Sequence, residues 1–170
     1  MLTSFRNASS QRGVGMVEVM VSLLLLGIAV IGFAALQVRA VAVTGDSAYR
    51  TQAMGIAQEL AEKMRANFTQ LTGYTTAANW ATAVIPDCMT AACTAAQLQT
   101  YDIQNTMALA ANLLPGGTVM ASTCNGSSNT CIYVAWNRTT TAVDGSANSC
   151  VGSTGVYTST SADCIVMEIY

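Results

Sequence analysis

Twenty consecutive residues between Glu18 and Arg39, VMVSLLLLGIAVIGFAALQV, carry no charge, and only Ser22 and Gln37 among them are strongly polar. A helix rises about 1.5 Å per residue, so the run is roughly 30 Å long, the thickness of a bilayer hydrocarbon core. Length alone makes it a transmembrane candidate. At 170 residues the chain suits one domain, or one anchor with a small domain behind it. Glu18 stands at the leading edge of the run, five positions after Gly13. A carboxylate at mid-bilayer costs about 2.5–3.5 kcal/mol on insertion scales and less near an interface. Glu18 therefore either reaches back to the headgroups or answers a positive charge brought close by assembly.

Charge and cysteine content narrow the classes. The formal charge is −2, with seven Lys and Arg residues against nine Asp and Glu, and no basic cluster. Phosphate binding needs clustered positive charge, so no nucleic acid is expected as a partner. The six cysteines, Cys88, Cys93, Cys124, Cys131, Cys150 and Cys164, all follow the apolar run and form an even set. That suits a disulfide-bearing domain in an oxidising compartment. The chain has no histidine and no C-x-x-C pair, which disfavours zinc. Fifteen pairings are open to six cysteines; we expect neighbours to join, Cys88 with Cys93, Cys124 with Cys131, and Cys150 with Cys164.

Enzyme readings fail on inventory. Without histidine there is no ordinary general base, and no nucleophile elbow, P-loop or zinc-protease motif occurs. We expect no catalytic residue, no cofactor and no metal. The aromatic residues Trp80, Tyr133 and Trp136 could line a binding face, but in a small domain such side chains more often fill the core.

Along the chain, residues 1–13 are short and polar with two arginines and read as a processing leader. No proline precedes Pro86, so a single helix is expected over about 15–68, within a long N-terminal segment, residues 14–68, whose part 14–38 is the transmembrane portion. Its weakest point is VAVTGD, residues 41–46, where β-branched residues and a glycine meet. From Ser47 the pattern becomes amphipathic, with Met54, Ala57, Ala61, Met64 and Phe68 on one stripe. A head, residues 69–170, follows. It should hold a helix over about 94–114, with Ile103, Met107, Ala110 and Leu114 on one face and Pro115-Gly116-Gly117 as its stop. Strands are expected at about 118–124, 131–138 and 164–170, the first two as a hairpin across CNGSSNTC. The fold class is α+β, a long N-terminal helix packed on a small antiparallel sheet.

Two other origins of the apolar run compete. An ordinary secretory signal has an apolar core of about 7–15 residues, shorter than this one. A plain single-pass anchor is the other, with arginines on both flanks, Arg6 and Arg12 before it and Arg39 and Arg50 after it. The cysteines then place the C-terminal part outside.

The segment RG|VGMVEVMVSLLLLGIAVIGFAAL resembles the signal of type IV prepilins and pseudopilins: a short basic leader ending in glycine, glutamate at the fifth position after it, then an unbroken apolar helix. Residues 36–67, closing on Met64-Arg65-Ala66-Asn67, resemble PilV-type minor pilins of type IV pili. Two features depart from that pattern: Val14 stands where phenylalanine is usual, and the helix-kinking proline of many major pilins is absent.

The resemblance implies cleavage between Gly13 and Val14 by a prepilin peptidase, N-methylation of Val14, and pairing of Glu18 with an N-terminal amine during assembly. It implies a single-pass inner-membrane protein with its head in the periplasm, later part of a pilus at the cell surface. The implied partners are other minor and major pilins, through the N-terminal helix, and the inner-membrane assembly platform. The function implied is a minor pilin that helps initiate type IV pilus assembly, supporting twitching motility and adhesion. The Cys150–Cys164 loop resembles the terminal disulfide loop of pilins. A type II secretion pseudopilin is the alternative within the class, and a membrane-anchored periplasmic binding or adhesin module the alternative outside it.

Overall fold

The computed structural model describes residues 13, 15–81, 85–157 and 162–169. The expected leader, apart from Gly13, lies outside the described residues, as does Val14.

Helix α1 runs Met16–Ala66 without a break. It opens where the Gly15 carbonyl accepts from the amides of Glu18 and Val19, at 3.0 and 3.3 Å. The weak segment 41–46 stays helical. Gly45 costs about 1 kcal/mol relative to alanine, too little to end a helix without proline. Next to it, Arg50 Nε reaches Asp46 Oδ2 one turn back, at 3.0 Å. Lys63 and Arg65 lie in the last turn, where cations complement the exposed carbonyls.

The chain divides into two compact units, Met1–Gly45 and Asp46–Tyr170. In the first, every described residue of α1 up to Val43 is exposed. In the second, α1 buries Ala53, Ile56, Ala57, Leu60, Ala61 and Met64. Two members of the expected stripe, Met54 and Phe68, are instead 41% and 72% exposed. Met54 sits about a quarter-turn from the centre of the buried stripe, at a margin where only a side chain as small as Ala61 is covered. Phe68 has the right angle for a continuing helix. However, α1 has ended, and a 3-10 turn over Phe68–Gln70 carries it off the stripe.

A short helix α2, Leu71–Thr75, and a 3-10 turn, Ala77–Trp80, lead towards helix α3, Ala95–Leu113. Thr94 caps α3 with a reciprocal box: Gln97 N donates to Thr94 Oγ1, and Gln97 Oε1 accepts from Thr94 N. The stop at the other end is steric. A Cβ on Gly117 would lie 2.1 Å from the Ala110 carbonyl oxygen, so only glycine lets the chain fold back over the last turn.

The sheet is three-stranded and antiparallel in the order β1-β2-β3, with β1 at Thr118–Thr123, β2 at Thr130–Ala135 and β3 at Cys164–Ile169. β2 ends at Ala135, short of the expected 138, because Asn137 adopts a left-handed conformation (φ 57°) and its amide turns to the Pro115 carbonyl. The expected last residue of β3, Tyr170, lies outside the described residues. Successive side chains point to opposite faces. Val119, Ala121, Ile132, Val134, Ile165 and Ile169 share a core with the buried stripe of α1 and with Ile103 and Ala110 of α3. The other face carries Cys131, Tyr133, Ala135 and Cys164 under Cys150 and Val151. β2 is covered on both faces and buried at all six positions, which is why it reads as an apolar run without alternation. Trp80, Tyr133 and Trp136 are core residues, not a binding face.

Candidate functional site

The first unit offers a surface rather than a cavity. Met16–Ala66 is long and apolar enough to cross a membrane, and none of its most apolar window is buried. Leu23, Leu24, Leu25 and Leu26 are each about 60% exposed, and Ile31 and Val38 more than 70%. A soluble monomer rarely leaves so long an apolar surface open; it marks contact with lipid or with other chains. Gly13 and Gly15, both exposed, precede it. Glu18 lies in the first turn, where a carboxylate is favoured by the free amides of the helix start. The Ser22 hydroxyl donates to the Glu18 backbone carbonyl at 2.6 Å, so it satisfies the backbone and leaves the carboxylate aside. Among the described residues, Glu18 forms no ion pair.

In the second unit a buried polar cluster joins the end of α1 to α2 and α3. Tyr74 donates its hydroxyl to Asp102 Oδ2 at 2.6 Å. Asn67 donates through Nδ2 to the Ala95 carbonyl at 2.8 Å and more loosely to the Tyr74 hydroxyl at 3.4 Å. The Thr106 hydroxyl returns to the Asp102 carbonyl, and Lys63 Nζ lies 3.4 Å from Thr106 Oγ1 and 2.6 Å from Glu59 Oε1. Burial raises the Asp102 carboxyl above its ordinary pKa, opposed by the Tyr74 hydrogen bond and the Lys63 charge. Burial, with the hydrogen bond to Asp102, raises the Tyr74 hydroxyl as well. The arrangement fixes three chain segments at one point. In the sequence Asn67 stands out as the close of a helical segment, whereas Tyr74 and Asp102 do not stand out. The available signal was Asp102 directly before Ile103 on the buried stripe of α3.

The cysteines are bonded Cys88–Cys93, Cys124–Cys131 and Cys150–Cys164. The first closes the link before α3, the second the mouth of the β1-β2 hairpin, and the third ties the long loop after β2 to the start of β3. Among the described residues no group of histidine, cysteine, aspartate and glutamate side chains could hold a metal ion.

Residues 35–104 match the family model of the Tt1218-like proteins, described as type IV pilin Tt1218. The match runs from the end of the apolar stretch, through the buried stripe of α1 and the Asn67, Tyr74 and Asp102 cluster, into α3; it covers less than half of the chain and none of the sheet. No curated protein and no solved structure matches. Through residues 35–104 the chain is thus similar to the Tt1218-like type IV pilins, and the α+β fold, a long N-terminal helix packed on a small antiparallel sheet, is typical of type IV pilins.

Proposed function

We propose that this protein is a minor pilin, made as a prepilin, held in the inner membrane by the first part of α1 and then drawn into a type IV pilus, where it helps to start assembly. The observation that carries the reading is the fully exposed apolar stretch of α1 directly behind Gly13, with Glu18 as the one acidic residue before Asp46. Cutting between Gly13 and Val14 creates an amine four residues from Glu18. In a packed bundle of such helices, an amine from a neighbour neutralises a carboxylate that would otherwise be costly to desolvate. The head then stands in the periplasm, where its three disulfides are stable.

Intact mass and N-terminal sequencing of the protein recovered from membranes test the cut. A chain starting at Val14 is the expected result; intact Met1, or a start at Ala35, sinks the reading. Glu18→Ala should still be cut but enter sheared pili poorly. Normal amounts of this variant in pili would remove Glu18 from assembly. Loss of piliation with protein secretion intact on deleting the gene would separate a pilus subunit from a secretion pseudopilin.

A further inference from the structure

The three disulfides sit in unlike surroundings. Cys150 and Cys164 are 0% and 1% exposed, and Cys124 and Cys131 are buried as well. Both of these bonds belong to the packed outer face of the sheet, with Tyr133 and Val151. Cys88 and Cys93 are partly exposed and belong to neither core cluster.

The link that carries them, residues 85–93, is tied to itself. Among the described residues its hydrogen bonds stay inside it. The Cys88 amide donates to the Pro86 carbonyl at 3.1 Å. Asp87 accepts from the amides of Met89 and Thr90, each at 3.2 Å, and from the Thr90 hydroxyl. Attachment to the head resumes beyond the two ends, where Gln104 Nε2 donates to the Ala81 carbonyl at 3.0 Å and Thr94 caps α3. Ile85 and Met89, on either side of Cys88, are 56% and 80% exposed. The bond is thus reachable from solvent and flanked by apolar side chains that another protein can cover.

Access decides which disulfide exchanges, because an attacking thiolate must reach one of the two sulfurs. Cys124–Cys131 is the nearest rival, since both residues border an open groove of about 330 Å³. However, Cys131 lies in β2 between two paired strands, and the Cys124 amide donates to the Asn129 carbonyl at 2.8 Å. Opening that bond disturbs the sheet; opening Cys88–Cys93 frees only the link.

We propose that Cys88–Cys93 is a thiol–disulfide exchange site, opened by the dithiol of another protein while the head stays folded and its other two disulfides stay shut. The reagent's thiolate attacks Cys88 Sγ, the bond to Cys93 breaks, and Cys93 leaves as a thiolate that takes a proton from water. Cys93 is the better leaving group: it precedes the start of α3, where negative charge is favoured, whereas Cys88 follows the carboxylate of Asp87. The reagent's second thiol then loses its proton and attacks the reagent's own sulfur in the mixed disulfide. Cys88 is released as a thiol and the reagent is left as a disulfide. Two electrons and two protons have passed to the link, and an oxidised dithiol closes it by the reverse steps.

Timing the opening of each bond tests this. The full chain in detergent micelles is treated with reduced thioredoxin or with dithiothreitol, quenched with an alkylating reagent and mapped by mass spectrometry. Expected is labelling of Cys88 and Cys93 at least tenfold faster than of the other four cysteines, with the emission of the buried Trp80 and Trp136 unchanged. A thioredoxin whose second active-site cysteine is serine should be trapped on Cys88. Ile85→Asn combined with Met89→Asn, both at exposed positions, should slow opening by thioredoxin about tenfold and opening by dithiothreitol less than twofold. Cys124–Cys131 opening as fast as Cys88–Cys93 would overturn the proposal. So would a tryptophan signal lost in step with labelling, which would make the bond a structural staple, or opening by dithiothreitol but not by thioredoxin. None of these readouts depends on cleavage at Gly13 or on pilus assembly.

Discussion

One helix carries two surfaces that obey opposite rules. Up to Val43, α1 presents Leu, Ile, Val and Phe on all sides and buries none of them. From Ala53 to Met64 it buries a narrow stripe in which three of six residues are alanine. The first part has no internal partner, so its free energy is set by whatever surrounds it, lipid or other helices. The second is committed to the head, where alanines at 53, 57 and 61 allow close packing and Ile56, Leu60 and Met64 fill the space beside them. A continuous backbone therefore does not imply a continuous environment. The division at Gly45 follows how densely the chain packs on either side of it, not any break in the helix.

The sharpest way to break this contrast is to shorten one leucine in each part. Leu60→Ala removes a side chain with no exposure and should cost about 2–5 kcal/mol of head stability. Leu25→Ala, in the exposed stretch, should cost close to nothing in the same denaturant titration in micelles. Equal losses would show that the first part also packs internally.

Next come the crosslinks of the head. Replacing Cys150 and Cys164 by serine opens a loop with a sequence separation of 14 and should cost about 3 kcal/mol in the chain-entropy model; the separation of 5 between Cys88 and Cys93 corresponds to about 2 kcal/mol. Thermal unfolding of the two double variants gives the order, and a larger loss at Cys88 and Cys93 would show that the link before α3 is held by more than loop closure.

The buried cluster tests how firmly the second part of α1 is joined to α3. Tyr74→Phe leaves Asp102 without its closest donor and should cost about 1–3 kcal/mol. The pH dependence has a definite sign. Burial raises the Asp102 carboxyl in the folded state, so the folded chain holds this proton more tightly than the unfolded chain. Its contribution is therefore most favourable below the ordinary carboxylate range and is lost as pH rises from about 4 through the raised value. Asp102→Asn should remove that component of the slope, read as the difference between the two stability–pH curves. Identical curves would place the carboxylate in a more solvated setting.

The smallest expected effect lies near the boundary of the two parts. Arg50 holds Asp46 in an exposed pair and sits 5.5 Å above the Trp136 ring. Arg50→Ala should cost about 0.5–1 kcal/mol, mostly the cation–ring contact, since exposed ion pairs contribute little. Raising the salt concentration should change this difference only slightly.

Much of this architecture follows from local pattern. Twenty uncharged residues, an unbroken helical span without proline, and the Pro115-Gly116-Gly117 stop each act within a few residues, so periodicity and steric rules suffice to read them. The α1 stripe was legible only in part: the period identified Ala57, Ala61 and Met64, but Met54 and Phe68 took the places of Ala53, Ile56 and Leu60. Helical period gives a spacing, whereas the sheet beneath decides the stripe's angle and its end.

The sequence by itself determined where the exposed apolar surface lies and that Glu18 stands at its leading edge, because both depend on composition along one helix. Tertiary structure alone decided the meeting of Asn67, Tyr74 and Asp102, and which of the three disulfides stays within reach of solvent. Those depend on contacts across 28 residues, and on the packing of Cys124, Cys131, Cys150 and Cys164 against the sheet. No local pattern of side chains encodes either.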